Sequence, residues 1–104
     1  MRILVIDDEV GLRKTIRGML ESRGLEVEEA ADGEMGIRAY RQHGADVVLC
    51  DLFMPTRDGL ETIRELRRLA PYVKIIAMSG GGPRGTVNLL PMARRMGAAE
   101  VLYK

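Results

Sequence analysis

The chain has 104 residues, 46% of them apolar and 30% charged, and its sixteen Lys and Arg against fifteen Asp and Glu give a formal net charge of +1. That length suits one domain spanning residues 1–104, with a core able to bury somewhat more than about 60% of the unfolded surface. The balanced charge lacks the excess that marks many nucleic-acid-binding domains and membrane-seeking surfaces, so neither partner is expected.

One cysteine, Cys50, excludes an internal disulfide, and one histidine, His43, cannot assemble a Cys/His zinc cluster. Both are read as structural. The opening MRILVIDDEV turns acidic after Ile3-Leu4-Val5-Ile6, unlike a secretory leader, and no apolar run nears the roughly 18 residues of a bilayer span. The expected compartment is the cytoplasm.

In chain order, Ile3 to Ile6 reads as a buried strand. Leu12, Ile16, Met19 and Leu20 then recur at helical spacing on one face until Gly24 stops the helix. Leu25 to Ala30 alternates apolar residues with Glu, as an edge or half-exposed strand does, and Asp32 offers an N-cap for a helix to about Gln42, closed by Gly44. Val47 to Cys50 is a third strand. A loop holding Pro55 and Gly59 leads into a helix with Leu60, Ile63, Leu66 and Leu69, ended by Pro71. Val73 to Met78 is the fourth strand; Leu89 to Met96 suggests a fourth helix with Pro91 in its first turn, and Val101 to Tyr103 a fifth strand. Five strands alternating with four helices predict a parallel, doubly wound α/β sheet, because parallel neighbours need crossovers and right-handed βαβ units supply them.

Ligands of such sheets sit at the carboxyl ends of the strands. Those ends carry Asp7-Asp8-Glu9, Asp51, Ser79 and Lys104. Three converging aspartates repel one another unless a cation joins them, and Mg²⁺ suits carboxylate and carbonyl oxygens while retaining waters that a phosphoryl oxygen can displace. A hydroxyl and a lysine on the same rim would meet the remaining phosphoryl oxygens. Asp51, on the central strand, is then the nucleophile. Taken singly, an Asp pair after a strand reads as a helix cap; together, at four strand ends, these groups read as a site.

The stretch AMSGGGPRGT contains a literal G-x-G-x-x-G at Gly80, Gly82 and Gly85. It does not open a dinucleotide site by pattern: Pro83 interrupts the loop, and the only later acid, Glu100, begins the next strand instead of ending it. A P-loop G-K-[ST] is also missing, and Asp51-Leu52-Phe53 lacks a D-x-D phosphatase pair. An enzyme acting on external substrates is therefore not expected.

With VIDDE, DLFMPTRDG, MSG and GAAEVLYK in order, residues 2–104 resemble the receiver domain of two-component response regulators. The resemblance implies the flavodoxin-like strand order 2-1-3-4-5 and phosphoryl transfer from a sensor histidine kinase, or a phosphotransfer protein, to Asp51. It also implies Mg²⁺ held by Asp7, Asp8, Asp51 and the backbone carbonyl of Phe53, with Ser79 as the switch hydroxyl and Lys104 as the phosphate-binding lysine. Pro55 and Gly59 would shape the neighbouring loop. The mobile element that reads out phosphorylation would be the glycine loop after Ser79 with the helix that follows it.

Three departures accompany the resemblance. Val101 stands where receivers usually carry an aromatic switch residue, with Tyr103 on the opposite face of that strand. Phe53, an apolar ring, stands beside the path of hydrolytic water, which predicts slow loss of the phosphoryl group. The chain given stops at Lys104, before the fifth helix of receivers, so strands four and five should expose an apolar face: either the sequence is truncated there, or a partner chain, as in a homodimer or swapped dimer, covers that face. A stand-alone regulator is the favoured context. The competing reading is an inactive receiver-like interaction module.

Overall fold

Residues 1–52, 59–79 and 100–103 are described by the structure, a computed structural model. The sequence folds into β1 (Arg2–Ile6), α1 (Val10–Glu21), β2 (Glu26–Ala30), α2 (Gly33–His43), β3 (Val47–Asp51), α3 (Gly59–Leu69), β4 (Lys74–Ser79) and β5 (Glu100–Tyr103). All strand pairings are parallel and the order is β2-β1-β3-β4-β5, the flavodoxin-like arrangement expected of the sequence. The chain leaves β1 toward β2 and returns past it to β3. Its direction therefore reverses between β1 and β3, where Ile3 pairs with Val47 and Ile6 with Cys50.

Ile3 to Ile6 are all buried, as an apolar run needing cover on both faces should be. On one face Leu4, Ile6, Val48, Cys50, Ile75 and Ala77 meet Ile37 and Ala39 of α2 and Ile63 and Leu66 of α3. Each Leu or Ile so buried contributes roughly 1.5–3 kcal/mol relative to exposure. This layer is the core. Asp32 caps α2 by accepting the Met35 N–H at 2.9 Å, and Gly44, at φ 69, ends that helix with its N–H on the Tyr40 carbonyl.

The opposite face is covered differently. No residue of α1 is fully buried; Leu12, Ile16 and Leu20 are half-buried. Met19, expected on the same face, is 63% exposed. The cause is the helix's rotation toward β2: Arg13 and Arg17 both reach Glu29 on that strand, at 2.7 and 2.8 Å, which moves the contact arc away from Met19. Beyond α1, Val47 and Leu49 of β3 and Ile76 of β4 are only half-buried, while Met78 is buried.

Strand boundaries differ from the sequence reading by one residue, for local reasons. Leu25 donates back to the Leu20 carbonyl at the end of α1 and so precedes β2. Val73 closes a turn onto the Ala70 carbonyl and precedes β4. At the end of α3, Arg67 Nη1 donates to the carbonyls of Ala70, Pro71 and Val73 at 3.2, 2.9 and 2.7 Å. It closes the helix end and shapes the turn into β4. Cys50 is buried in the core, and His43 lies 3.1 Å from Glu28 at the rim of β2, so both fill the structural roles expected of them. The glycine loop, Pro55 and the expected fourth helix lie outside the described residues.

Candidate functional site: an acidic cluster at the sheet edge

β1 and β3 end side by side, and the residues that follow or close them are Asp7 and Asp51. Asp7, Asp8 and Asp51 each offer a carboxylate oxygen, and these atoms lie within 4.8 Å of one another. Asp7 is fully buried and Asp51 is 3% exposed, while Asp8 faces solvent. Negative charges this close repel one another, and a cation among them offsets that repulsion. The donor set consists only of hard oxygens, which fits Mg²⁺ or Ca²⁺ and disfavours softer metals.

The backbone explains why the cluster holds its shape. Asp7 donates its N–H to the Ala30 carbonyl at 3.0 Å, extending the β1–β2 ladder by one step. Its Oδ1 accepts the Glu9 N–H at 2.9 Å, a side-chain turn that bends the chain into α1. Glu9 is the N-cap of α1 and makes no side-chain capping bond, so the pair Asp7-Asp8 does not serve α1 as a conventional cap. Asp51 is held from the other side: it pairs with Met78, and Leu52 donates to the Met78 carbonyl at 3.0 Å.

Gly59 then brings α3 against this strand end. Its N–H donates to the Leu52 carbonyl at 3.1 Å, and a Cβ on it would meet the carbonyl oxygen of Asp51 and the Cα of Leu52 at less than contact distance. Only glycine allows this approach. Ser79 closes β4 one residue beyond the partner of Asp51, at the same carboxyl edge of the sheet. Phe53 and Lys104 lie outside the described residues.

Residue patterns alone do not single out Arg13. Its Nη1 donates to the carbonyl of Asp7 at 2.7 Å and its Nε to Glu29 Oε1 at 2.7 Å. Arg13 and Glu29 are 11% and 10% exposed, against 64% for Lys14 and 42% for Arg17, which share the same carboxylate. Hydrogen bonds from Arg17, with Arg13 and Lys14 adding to them, hold the Glu29 carboxyl at about 2, below its ordinary 4.5, although burial opposes the shift. The available signal was three cations at positions 13, 14 and 17, but which strand acid they face depends on the topology.

The family model for the response regulator receiver domain matches residues 3–104. The chain belongs to the response regulator receiver family. This receiver is 31% identical to the chemotaxis protein CheY of Thermotoga maritima over 104 residues, covering 99% of the chain and 84% of the relative. The crystal structure of the receiver domain of NtrX from Brucella abortus superposes with a TM-score of 0.89 at 29% identity, over 98% of this chain and 84% of that one. A response regulator from Burkholderia pseudomallei, solved with a phosphorylated aspartic acid, a calcium ion and citrate, superposes at 0.88 with 27% identity, over 99% of this chain and 59% of that one. Receivers are signalling domains, and this one has, among the described residues, no helix long and apolar enough to cross a membrane.

Proposed function

We propose that this receiver is a phosphoacceptor, taking a phosphoryl group from the phosphohistidine of a sensor histidine kinase or phosphotransfer protein. A carboxylate oxygen of Asp51 attacks phosphorus, the P–N bond breaks with its electrons going to the imidazole, and the departing imidazole takes up a proton. The observation that carries this reading is the convergence of the buried Asp51 with Asp7 and Asp8 to within 4.8 Å at the topological switch of the sheet. The phosphorylated aspartic acid of the Burkholderia pseudomallei structure supports it.

Asp7, Asp8, Asp51 and the Phe53 carbonyl are the proposed ligands of Mg²⁺. When bound, the ion supplies positive charge that offsets the three carboxylates and the incoming phosphoryl oxygens. Asp51, on its fixed strand, presents the attacking oxygen, while Ser79 and Lys104 are assigned to the remaining phosphoryl oxygens. The segment after Ser79 is assigned the response, altering contact with a downstream partner. The protein acts in the cytoplasm on this reading and not on an external substrate.

Incubation with Mg²⁺ and acetyl phosphate followed by intact mass measurement tests the proposal. Wild type should gain one phosphoryl group and Asp51→Asn none. Wild type that gains none favours an inactive interaction module of the same fold.

A further inference from the structure

We propose that Arg13 is a positioning residue for the acidic cluster: its guanidinium, fixed by Glu29, holds the Asp7 carbonyl and thereby sets the relative placement of the Asp7 and Asp8 carboxylates. The inference rests on the phosphoacceptor reading of that cluster. The Asp7 carbonyl belongs to the planar peptide joining Asp7 to Asp8, so its direction is fixed by ψ of Asp7 and φ of Asp8. Those two torsions decide how far apart the two carboxylates point. Anchoring this one oxygen therefore anchors the pair.

The anchor is rigid. Arg13 spans two elements with two 2.7 Å bonds from one planar group, Nη1 to Asp7 and Nε to Glu29. A planar fork that meets two fixed acceptors has little freedom left, whereas an ammonium on a flexible stem would. β2 thus grips Asp7 at both peptide groups: Ala30 accepts its N–H directly, and Glu29 restrains its carbonyl through Arg13. Neighbouring Arg17 provides an internal comparison, since its bonds run to Glu29 and Glu21 and not to Asp7.

Calorimetric titration of Mg²⁺ into wild type, Arg13→Met, Arg13→Lys and Arg17→Met tests the role. Outer partners that orient ligands typically account for a 10–100-fold difference in metal affinity; Arg13 acts on a ligand's main chain, so its loss should weaken binding by about tenfold. Lysine at 13 keeps the charge and loses the fork, and should weaken binding by about as much; it also carries the test should the methionine variant not fold. Arg17→Met should stay within about twofold of wild type even where urea shows it destabilised. In metal-free protein, exchange of the Glu9 amide, which donates to Asp7 Oδ1, should accelerate in the Arg13 variants and not in Arg17→Met. Arg13 variants that bind Mg²⁺ like wild type, or an Arg17 variant weakened equally, would overturn the assignment while leaving the acidic site standing. Wild type that takes up neither Mg²⁺ nor a phosphoryl group would overturn the reading of the site and this inference with it.

Discussion

Replacing Gly59 with alanine probes how tightly α3 is pressed against the strand that carries Asp51. The added Cβ would lie 2.8 Å from the Asp51 carbonyl carbon, and closer still to its oxygen and to the Leu52 Cα, where ordinary contact begins at 3.4 Å. All three atoms are backbone. They cannot retreat cheaply, because Leu52 is bonded to Met78 at 3.0 Å and Gly59 to Leu52 at 3.1 Å. Overpacking costs about 1–3 kcal/mol, and losing one net hydrogen bond adds about 1, so a loss of roughly 3 kcal/mol is expected. With a urea slope of roughly 1–1.5 kcal/mol/M for a domain of this size, the unfolding midpoint should fall by about 2–3 M. Gly18→Ala is the control: its Cβ meets nothing within 4 Å on the exposed middle of α1, and it should stabilise by about 0.5–1 kcal/mol. The variant at 59 should also accept less phosphoryl group from acetyl phosphate in its folded fraction, since relief of the clash moves Asp51. A Gly59→Ala protein within about 0.5 kcal/mol of wild type would refute the close-approach reasoning.

Two further outcomes follow from the polar network. Glu29 has a folded-state pKa depressed from 4.5 to about 2, so its contribution is complete above 4.5 and lost as pH falls from there toward 2. The full shift corresponds to about 3 kcal/mol; screening of the exposed Lys14 and Arg17 reduces the expectation to about 1–2 kcal/mol, and in urea melts across that window Glu29→Gln should flatten this part of the acid limb. Arg67→Met removes three charge-assisted bonds to carbonyls at the end of α3. It should lower stability by about 1–2 kcal/mol in the same assay, with phosphoryl uptake by the folded protein unchanged, because that turn lies at the opposite end of the sheet from Asp51.

The elements that were legible in the sequence are those whose signal is local. Ile3 to Ile6 and Val47 to Cys50 announce buried strands by unbroken apolar character, and Asp32 and Gly44 bracket α2 through chemistry confined to one turn. The acidic cluster was legible for a different reason: in a parallel sheet of the order 2-1-3-4-5 the carboxyl ends of strands one and three are neighbours on one edge, so Asp7, Asp8 and Asp51 converge there. What stayed hidden needed the relation between non-adjacent elements. In the run Glu26 to Ala30 two acids are adjacent, and nothing local says that Glu29 turns to α1 while Glu28 turns toward His43 of α2. Met19 is exposed on the same account, because helical spacing locates a face but the Arg13 and Arg17 contacts decide its centre. Sequence alone gives Gly59 a loop-shaping role, and its contact with Asp51 becomes visible only when α3 is docked.

The two halves of the site are therefore held by different physics. Asp51 is set by backbone packing: a glycine contact from α3 and a ladder bond to β4, over a face where Ile63 and Leu66 are fully buried. Asp7 is set by its own ladder bond to Ala30 and, with Asp8, by charge, through a helix that has no fully buried side chain and adds one carboxylate and three cations to the half-buried Leu12, Ile16 and Leu20. Apolar close packing tolerates little displacement, whereas exposed members of an ion cluster are weakened by salt and can be replaced by water. Within that cluster the 10–11% exposed Arg13–Glu29 pair is the part least open to screening, and it is also the part that reaches Asp7. The geometry of the acidic pair consequently depends on the one bridge in α1 that solvent reaches least, while the more exposed Lys14 and Arg17 share its carboxylate without reaching Asp7.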